Sequence, residues 1–317
     1  MANDVLVVVE EQDGTVTDAT RELLGAGRAL SGELGGEVLA LRLGPGSLAE
    51  QLAGADRVLH VEHPALEPYN PEAWEVTVAE VAKERGARVV LMATTTVGMD
   101  LGPAVAARLG APVVCYVVGA AVDGGQLVAT AKIYGGKLLA EVEVPGEAAV
   151  LVAIGGSFAP ASGGSVPEVE PVPAPAALDG LRTAVRQRIE PDRSDVDITA
   201  ADLLVAVGRG IGDRDNLELV QELADALGAP LASSRPLVDQ GWMPKSRQVG
   251  KSGLKVKPKA YLMFGISGAP EHIEGMRDAE LIVACNTDPN APIFEVAHFG
   301  TTADLFDLVP ALVERVG

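Results

Sequence analysis

Aromatic side chains are scarce in this chain, with 2 Trp, 4 Tyr and 5 Phe among 317 residues. Its core must therefore be built mostly from Val, Leu, Ile and Ala. Cysteine is scarcer still. Cys115 and Cys285 stand in apolar, strand-like runs and read as reduced, buried thiols of a cytosolic protein. Two Cys without His or Cys at ligand spacing cannot be read as a zinc site. Positive charge is short, with 25 Lys and Arg against 44 Asp and Glu and a formal net charge of −19. That excludes non-specific nucleic-acid binding and adhesion to anionic lipid, because both need a positive face. No apolar run reaches membrane-spanning length, so no direct membrane insertion is expected. The opening MANDVLVVVEEQ lacks the basic and long apolar regions of a signal peptide and reads as a first strand. No catalytic triad, paired-carboxylate pattern or metal-ligand cluster is present, and His60 and His63 read as incidental. The lack of a nucleophile suits a protein whose chemistry belongs to a cofactor.

What is present is glycine and proline, 36 and 21 residues, in a chain 48% hydrophobic and long enough for two cores. The first part alternates strand-like and helix-like segments. Strands are expected at Val5–Val9, Val38–Leu43, Arg57–Val61, Ala87–Met92 and Val113–Val118. Helices are expected at Thr17–Leu34, near Leu48–Ala53, at Pro71–Arg85 and at Met99–Leu109. Asn70 before Pro71 and Gly86 after Arg85 are start and stop signals. This rhythm argues for a mainly parallel sheet with helices on both faces. Gln126–Tyr134, Lys137–Val144 and Ala149–Ile154 are then separated by short turns, which predicts antiparallel hairpins. Residues 158–177 are rich in Pro, Gly, Ser and Glu and read as an extended connector that continues no sheet. Leu181–Ile189 is one further candidate strand. Pro191–Asp197 reads as a polar hinge, dividing the chain into domains 1–190 and 191–317.

The second domain is expected to be a smaller α/β sheet. Its strands fall at Asp202–Val207, Pro230–Ser233, Tyr261–Ile266, Leu281–Cys285 and Ile293–Ala297, with helices at Asn216–Leu227 and Ala303–Val316. Gly208-Arg209-Gly210-Ile211-Gly212 follows a strand and precedes a helix. It reads equally as a ligand-approach loop or as an ordinary tight turn, and Asp213 stands where a dinucleotide fingerprint has its third glycine. QVGKSG (Gln248–Gly253) is not a P-loop, because Lys245 replaces the required first glycine and no helix follows. It remains a Gly/Ser loop, either solvated or near a ring or phosphate. Lys245, Arg247, Lys251, Lys255, Lys257 and Lys259 form a positive island, a solvated face or the counter-charge of a di-anionic ligand. GISGAPEH (Gly265–His272) leaves the end of a strand. His272 there is either structural or a charged or donor imidazole beside a bound heterocycle. Asn286 and Asp288 follow the next strand. Asp304 either caps the last helix or holds a ribose hydroxyl.

From Val207 to Leu308 the chain resembles the C-terminal domain of electron transfer flavoprotein alpha subunits. The matching pieces include GRG at Gly208, SR at Ser234-Arg235, VDQG at Val238, QVGKSG, GISGA, His272, DPNAPIF at Asp288 and ADLF at Ala303. The N-terminal part resembles the family through VLVVVE, TTTVGMDLGPAVAARLGAP, IYGGK and GGSFAP. The resemblance implies an α/β protein of two domains. The N-terminal one carries a mainly parallel sheet plus antiparallel hairpins, and the C-terminal one is a Rossmann-like FAD-binding domain. It implies one FAD per heterodimer, held mainly on this chain, with AMP on the beta subunit. Arg209, Ser234 and Arg235 would contact the cofactor. Gln248, Val249, Gly250, Lys251 and Ser252 would pass near the flavin ring, with the Ser252 hydroxyl close to N5. Ser267, Gly268, Ala269, Pro270, Glu271 and His272 would hold the ring edge and pyrophosphate, with His272 facing the pyrimidine carbonyl. Asn286, Asp304 and Leu305 would serve the ribose and adenine side. Ser252 stands where relatives often carry Thr, and Glu271 where they often carry Gln.

The implied partners are the beta subunit, flavin dehydrogenases such as acyl-CoA dehydrogenases, and electron transfer flavoprotein-quinone oxidoreductase. The implied role is electron carriage in the cytoplasm rather than substrate turnover. The segment Gln126–Ile154 is a candidate beta-facing surface. The competing reading is an NAD(P)-binding oxidoreductase or a transhydrogenase-like nucleotide-binding module, which Asp213 disfavours.

Overall fold

The computed structural model describes residues 3–187 and 196–316. The chain divides into two compact units, Met1–Arg188 and Ile189–Gly317. In the first, β1 (Val5–Val8) leads into a short hairpin, β2 (Glu11–Gln12) with β3 (Thr15–Val16). No periodicity in so short a stretch signals that hairpin. Then follow α1 (Asp18–Leu34), β4 (Val38–Leu43), β5 (Arg57–Val61), α2 (Pro71–Arg85), β6 (Val89–Ala93), α3 (Thr96–Leu109) and β7 (Val113–Asp123). The unit continues with β8 (Gln126–Ile133), β9 (Leu138–Val144), β10 (Ala149–Ala153) and β11 (Glu168–Pro171).

One sheet has the order β11-β5-β4-β1-β6-β10-β7-β8-β9. It is parallel except at the β7–β8 and β8–β9 pairs. Its central strands β1, β4, β6 and β10 are buried at every position, as a helix-covered parallel sheet requires. In β1, Val5 and Val7 enter one core while Leu6 and Val8 enter the other. The three helices start on side-chain caps. Thr17, Asn70 and Thr95 accept from the amides of Thr20, Ala73 and Gly98, at 3.2, 3.3 and 3.0 Å. Each ends at a left-handed glycine, Gly35, Gly86 or Gly110.

Four expectations are corrected. β10 does not form a hairpin with β9. It returns to the sheet interior between β6 and β7, parallel to both. The reason lies in its AVLVA sequence, buried at every position, whereas β9 alternates as an edge strand can. Part of the connector does join a sheet, because β11 pairs with β5 at the edge. Glu170 accepts there from Arg57 at 3.2 Å and also pairs with Arg85, and Pro171 is tolerated on an edge strand. Residues 181–187 form no strand. The rest of that expected strand, the boundary expected at 190/191 and residues 191–195 of the hinge expected at Pro191–Asp197 lie outside the described residues. Cys115 is only half-buried. It is a free thiol like Cys285, and burial pushes both up from the ordinary thiol range, which makes them poor nucleophiles.

Glu10 follows β1 at the sheet's carboxyl edge. Thr95 Oγ1, already the α3 cap, donates to its Oε1 at 2.8 Å. Burial pushes this carboxyl up to about 7, against a smaller downward pull from Thr95. The folded unit therefore favours the protonated form. That contribution to stability is complete below the ordinary value of 4.5 and is lost as pH rises through about 7. Glu10→Gln keeps an acceptor for Thr95 and removes the charge. The variant is expected to melt above the wild type at pH 8.5 and level with it near pH 5. Parallel melting-temperature curves across that range would refute the assignment.

In the second unit, β12 (Leu203–Val207), α4 (Leu217–Ala226), β13 (Leu231–Ser233), α5 (Arg235–Asp239) and β14 (Ala260–Phe264) come first. Then come α6 (Pro270–Met276), β15 (Leu281–Cys285), β16 (Phe299–Thr301) and α7 (Leu305–Val316). The sheet order is β13-β12-β14-β15-β16, all parallel. Leu204 and Ala206 enter one core, Val205 and Val207 the other. The strand expected at Ile293–Ala297 is instead a 3-10 turn, Pro292–Glu295, because Pro292 begins a helical turn readily. The last strand starts at Phe299. Among the described residues no helix is long and apolar enough to cross a membrane.

Candidate functional site

The second sheet runs outward from β12 to β13 and then turns back to β14. The strand direction of travel reverses between β12 and β14, and ligands of open α/β sheets sit at the carboxyl ends flanking such a point. Every site residue expected from the sequence lies at or just beyond that edge. Arg209 follows β12, Ser234 and Arg235 follow β13, and Ser267–His272 follow β14. Asn286 follows β15, and Asp304 and Leu305 follow β16.

The glycines of the β12 turn have a definite first role. Gly208 N donates to Phe264 O at 2.9 Å and Gly210 N to Gly265 O at 3.0 Å. A Cβ at Gly208 would stand 2.5 Å from Gly265 O, and one at Gly210 would stand 2.7 Å from Gly265 Cα. The two loops at the switch point thus touch backbone to backbone, which leaves Arg209 exposed on their rim.

The Gln248–Gly253 loop is held on two sides. Val249 N donates to Ser233 O at 2.9 Å, and Lys251 N donates to Glu271 O at 2.7 Å. Gly250 is packed so closely on α6 that a Cβ would meet Glu271 O at 2.8 Å. Inside the loop, Gln248 Nε2 donates to Ser252 Oγ at 3.1 Å, and Lys245 Nζ donates to Gln248 Oε1 at 2.9 Å. Ser252 Oγ is thereby an acceptor toward Gln248, and its own proton is left to point elsewhere. Lys245 also donates to the Ser252 carbonyl. This bracing was not signalled by the motif, although Lys245 belongs to the positive island. That island is partly consumed within the protein. Lys259 pairs with Asp202 at 2.9 Å and Arg247 donates to Leu231 O at 2.9 Å. Lys251 is an exposed residue of the same loop.

The remaining groups divide into presented and structural. Arg235 is exposed, its Nε 3.2 Å from Asp239 Oδ2 within α5. Ser267, Ala269, Pro270 and Glu271 are exposed, while Ser234, Gly268 and Leu305 are buried. Asn286 Nδ2 donates to Ile266 O at 2.9 Å, and its Oδ1 accepts from Asp288 N at 2.9 Å. Its amide thus ties the β14 and β15 loops together. Asp304 Oδ1 accepts from Phe306 N at 3.0 Å, so it does cap α7, and the residue is exposed.

His272 is not on the open surface. It is 5% exposed, inside α6, with Nε2 3.3 Å from the Tyr261 hydroxyl. Burial pushes its imidazole down to about 4, against a smaller upward pull from the Val249 backbone, so it is neutral at ordinary pH. Of the readings open from the sequence, structural, charged or donor, the buried ring disfavours the charged one. Two buried polar atoms at this edge have no hydrogen-bond partner, Ser233 Oγ and His272 Nδ1. Such atoms, with three exposed cationic side chains and a free hydroxyl proton on Ser252, form a donor set suited to an anionic, acceptor-rich ligand.

The chain matches two family models. Residues 5–177 match the electron transfer flavoprotein domain, and residues 197–277 match the electron transfer flavoprotein FAD-binding domain. It is 37% identical over 320 residues to Protein FixB of Clostridium saccharobutylicum, covering 98% of this chain and 95% of that one. It is 34% identical over 325 residues to the electron transfer flavoprotein subunit alpha of Bacillus subtilis, covering 99% and 98%. To the alpha subunit of Syntrophomonas wolfei it is 36% identical over 320 residues, covering 98% of each. With both units matched in order and the relatives covered almost end to end, the chain belongs to the electron transfer flavoprotein alpha-subunit family.

Proposed function

We propose that this chain binds FAD and, paired with a beta subunit, carries electrons from flavin dehydrogenases such as acyl-CoA dehydrogenases to a membrane quinone oxidoreductase. The observation that supports this most is the convergence of five strand-end loops, with Arg209, Arg235 and Lys251 exposed among them, on one sheet edge at a topological switch point. FAD when bound supplies the one- and two-electron chemistry; the protein supplies position and charge. Arg209, Arg235 and Lys251 would hold the pyrophosphate and offset negative charge on the ring. Ser252, aligned by Gln248, would donate its proton to a ring acceptor. The Ser267–Glu271 loop and the His272 donor would line the ring edge. Ser234, Asn286, Asp304 and Leu305 would shape the ribose and adenine side. On this reading the protein is cytoplasmic and acts as a carrier, one FAD serves each heterodimer, AMP rests on the beta subunit, and the working division is 1–190 and 191–317.

Of the segment Gln126–Ile154 expected to face the beta subunit, β10 is buried inside the sheet, so the beta-facing surface is the part made by β8 and β9 at the end of the β7–β9 meander. Its β8–β9 tip exposes Tyr134 at 76% and Leu139 at 64%, with Ile133 and Leu138 beside them. An apolar group of that kind on a surface otherwise rich in Glu marks a protein contact. Co-expression with the beta subunit is expected to give a yellow one-to-one complex with one FAD, and the chain alone a flavin-poor product. Leu139→Asp is expected to weaken the complex by at least tenfold while the chain's own melting temperature stays within a degree or two. A colourless complex, or a fully flavinated monomer, would refute the reading.

A further inference from the structure

Tyr261 lies on β14, wholly enclosed, and its hydroxyl makes one hydrogen bond among the described residues, to His272 Nε2 at 3.3 Å. The hydroxyl has a single proton to donate. His272 is neutral and also carries one ring proton. Two arrangements are then available. If Tyr261 donates, Nε2 accepts and the ring proton sits on Nδ1, leaving one unsatisfied group, the Nδ1–H. If His272 donates from Nε2, the Tyr261 O–H and the Nδ1 lone pair are both buried without partners. Each buried, unsatisfied polar group is costly, so the first arrangement is favoured. Burial supports it from both sides. It pushes the phenol well above its ordinary range, so that its proton stays in place, and it holds the imidazole neutral.

The remaining Nδ1–H is the orphan at this sheet edge. It is shut from water, and the protein acceptor beside the ring, the Val249 backbone, closes no hydrogen bond with it. A bound acceptor would satisfy it. The α6 residues around it are fixed: Lys251 N holds Glu271 O, and His272 N donates to Ala269 O at 2.9 Å. The ring itself is held by enclosure and by the Tyr261 hydroxyl.

We propose that Tyr261 is a positioning residue of the FAD site: its hydroxyl holds His272 as the Nδ1–H tautomer, so that the ring meets a flavin acceptor through Nδ1 as a neutral donor. This rests on the FAD reading above. Tyr261 itself touches no ligand and acts through the imidazole.

The test is nitrogen-15 NMR on the full-length chain, labelled at histidine and paired with unlabelled beta subunit, before and after FAD loading. The chain has 4 His, and a His272→Gln sample identifies the relevant signals. Wild type is expected to show a protonated Nδ1 and an unprotonated Nε2, with Nδ1 shifting on FAD loading. Tyr261→Phe is expected to give a mixed tautomer and about tenfold weaker FAD binding. An Nε2–H signature in the wild type would overturn the proposal, and that spectrum decides even if Tyr261→Phe folds poorly. Unchanged His272 signals in a folded Tyr261→Phe complex would overturn it too, as would FAD binding that leaves the Nδ1 signal unmoved. Failure of any FAD to bind would instead refute the underlying cofactor reading, and the tautomer signature would still be measurable without it.

Discussion

Gly268→Ala is expected to cost the C-terminal unit most of its stability and, with it, any bound FAD. Gly268 has φ +86, and a Cβ there would stand 2.3 Å from Ile293 N and 2.6 Å from Ile293 Cα. Two separate penalties combine. The left-handed backbone disfavours any L side chain by about 1–2 kcal/mol. Overpacking against backbone that cannot rotate away adds about 1–3 kcal/mol. The loop cannot simply lift, because Ile293 N donates to Ser267 O at 3.1 Å and that bond anchors the segment ahead of α6. A melting-temperature fall on the order of 10 °C or more is expected for a unit of this size. Gly228→Ala is the control. Gly228 also has a positive φ, +63, but open space around its Cβ position, so only the conformational penalty applies. A Gly268→Ala chain that melts no lower than Gly228→Ala, with normal FAD content, would show that the loop yields and that its close packing does not hold the site.

Gly268 also shows what the sequence made legible and what it concealed. GISGA announced a loop after a strand, and a loop after each strand of a parallel sheet falls on one edge. The placing of the loops that carry Ser267 and Asn286 on one edge was therefore readable from rhythm, whereas Arg209 and Arg235 were singled out by the resemblance. Elements bounded by local chemistry were readable too. Val38–Leu43, Arg57–Val61 and Leu281–Cys285 stand where the apolar runs placed them, and α2 runs between Asn70-Pro71 and Gly86 as its caps dictate. Non-local choices were not readable. β10 follows β9 after a short turn, yet it pairs with β6 and β7, because burial on both faces outweighs nearness in sequence. Side-chain direction was equally hidden. His272 stands in the expected loop-helix junction, but its ring turns inward to Tyr261, eleven residues earlier in sequence and one strand away. The bracing of Ser252 by Gln248 and Lys245 likewise depends on how the loop folds back, which no spacing in QVGKSG encodes.

Arg235→Ala is expected to separate ligand binding from folding, the opposite of Gly268→Ala. The Arg235 side chain is 66% exposed and pairs with Asp239, one helical turn away at 3.2 Å. An exposed pair of that kind contributes little to stability, so the melting temperature without FAD should change by no more than a degree or two. A bound pyrophosphate or reduced ring changes the balance. A guanidinium donates to such groups with charge-assisted hydrogen bonds, and losing one costs about 1.5–3 kcal/mol, or roughly 10- to 150-fold in affinity. Arg235→Lys keeps the charge and loses the planar fork, so it should fall between the two. Asp239→Asn supplies a further check. Releasing Arg235 from its neighbour's charge should leave FAD affinity unchanged or slightly higher, since the guanidinium no longer divides its interactions. Equilibrium FAD titration of the four chains, each paired with the beta subunit, reads all of this directly. Equal affinities for wild type and Arg235→Ala would remove Arg235 from the site, and would leave Arg209 and Lys251 as the cations that must carry the phosphate charge.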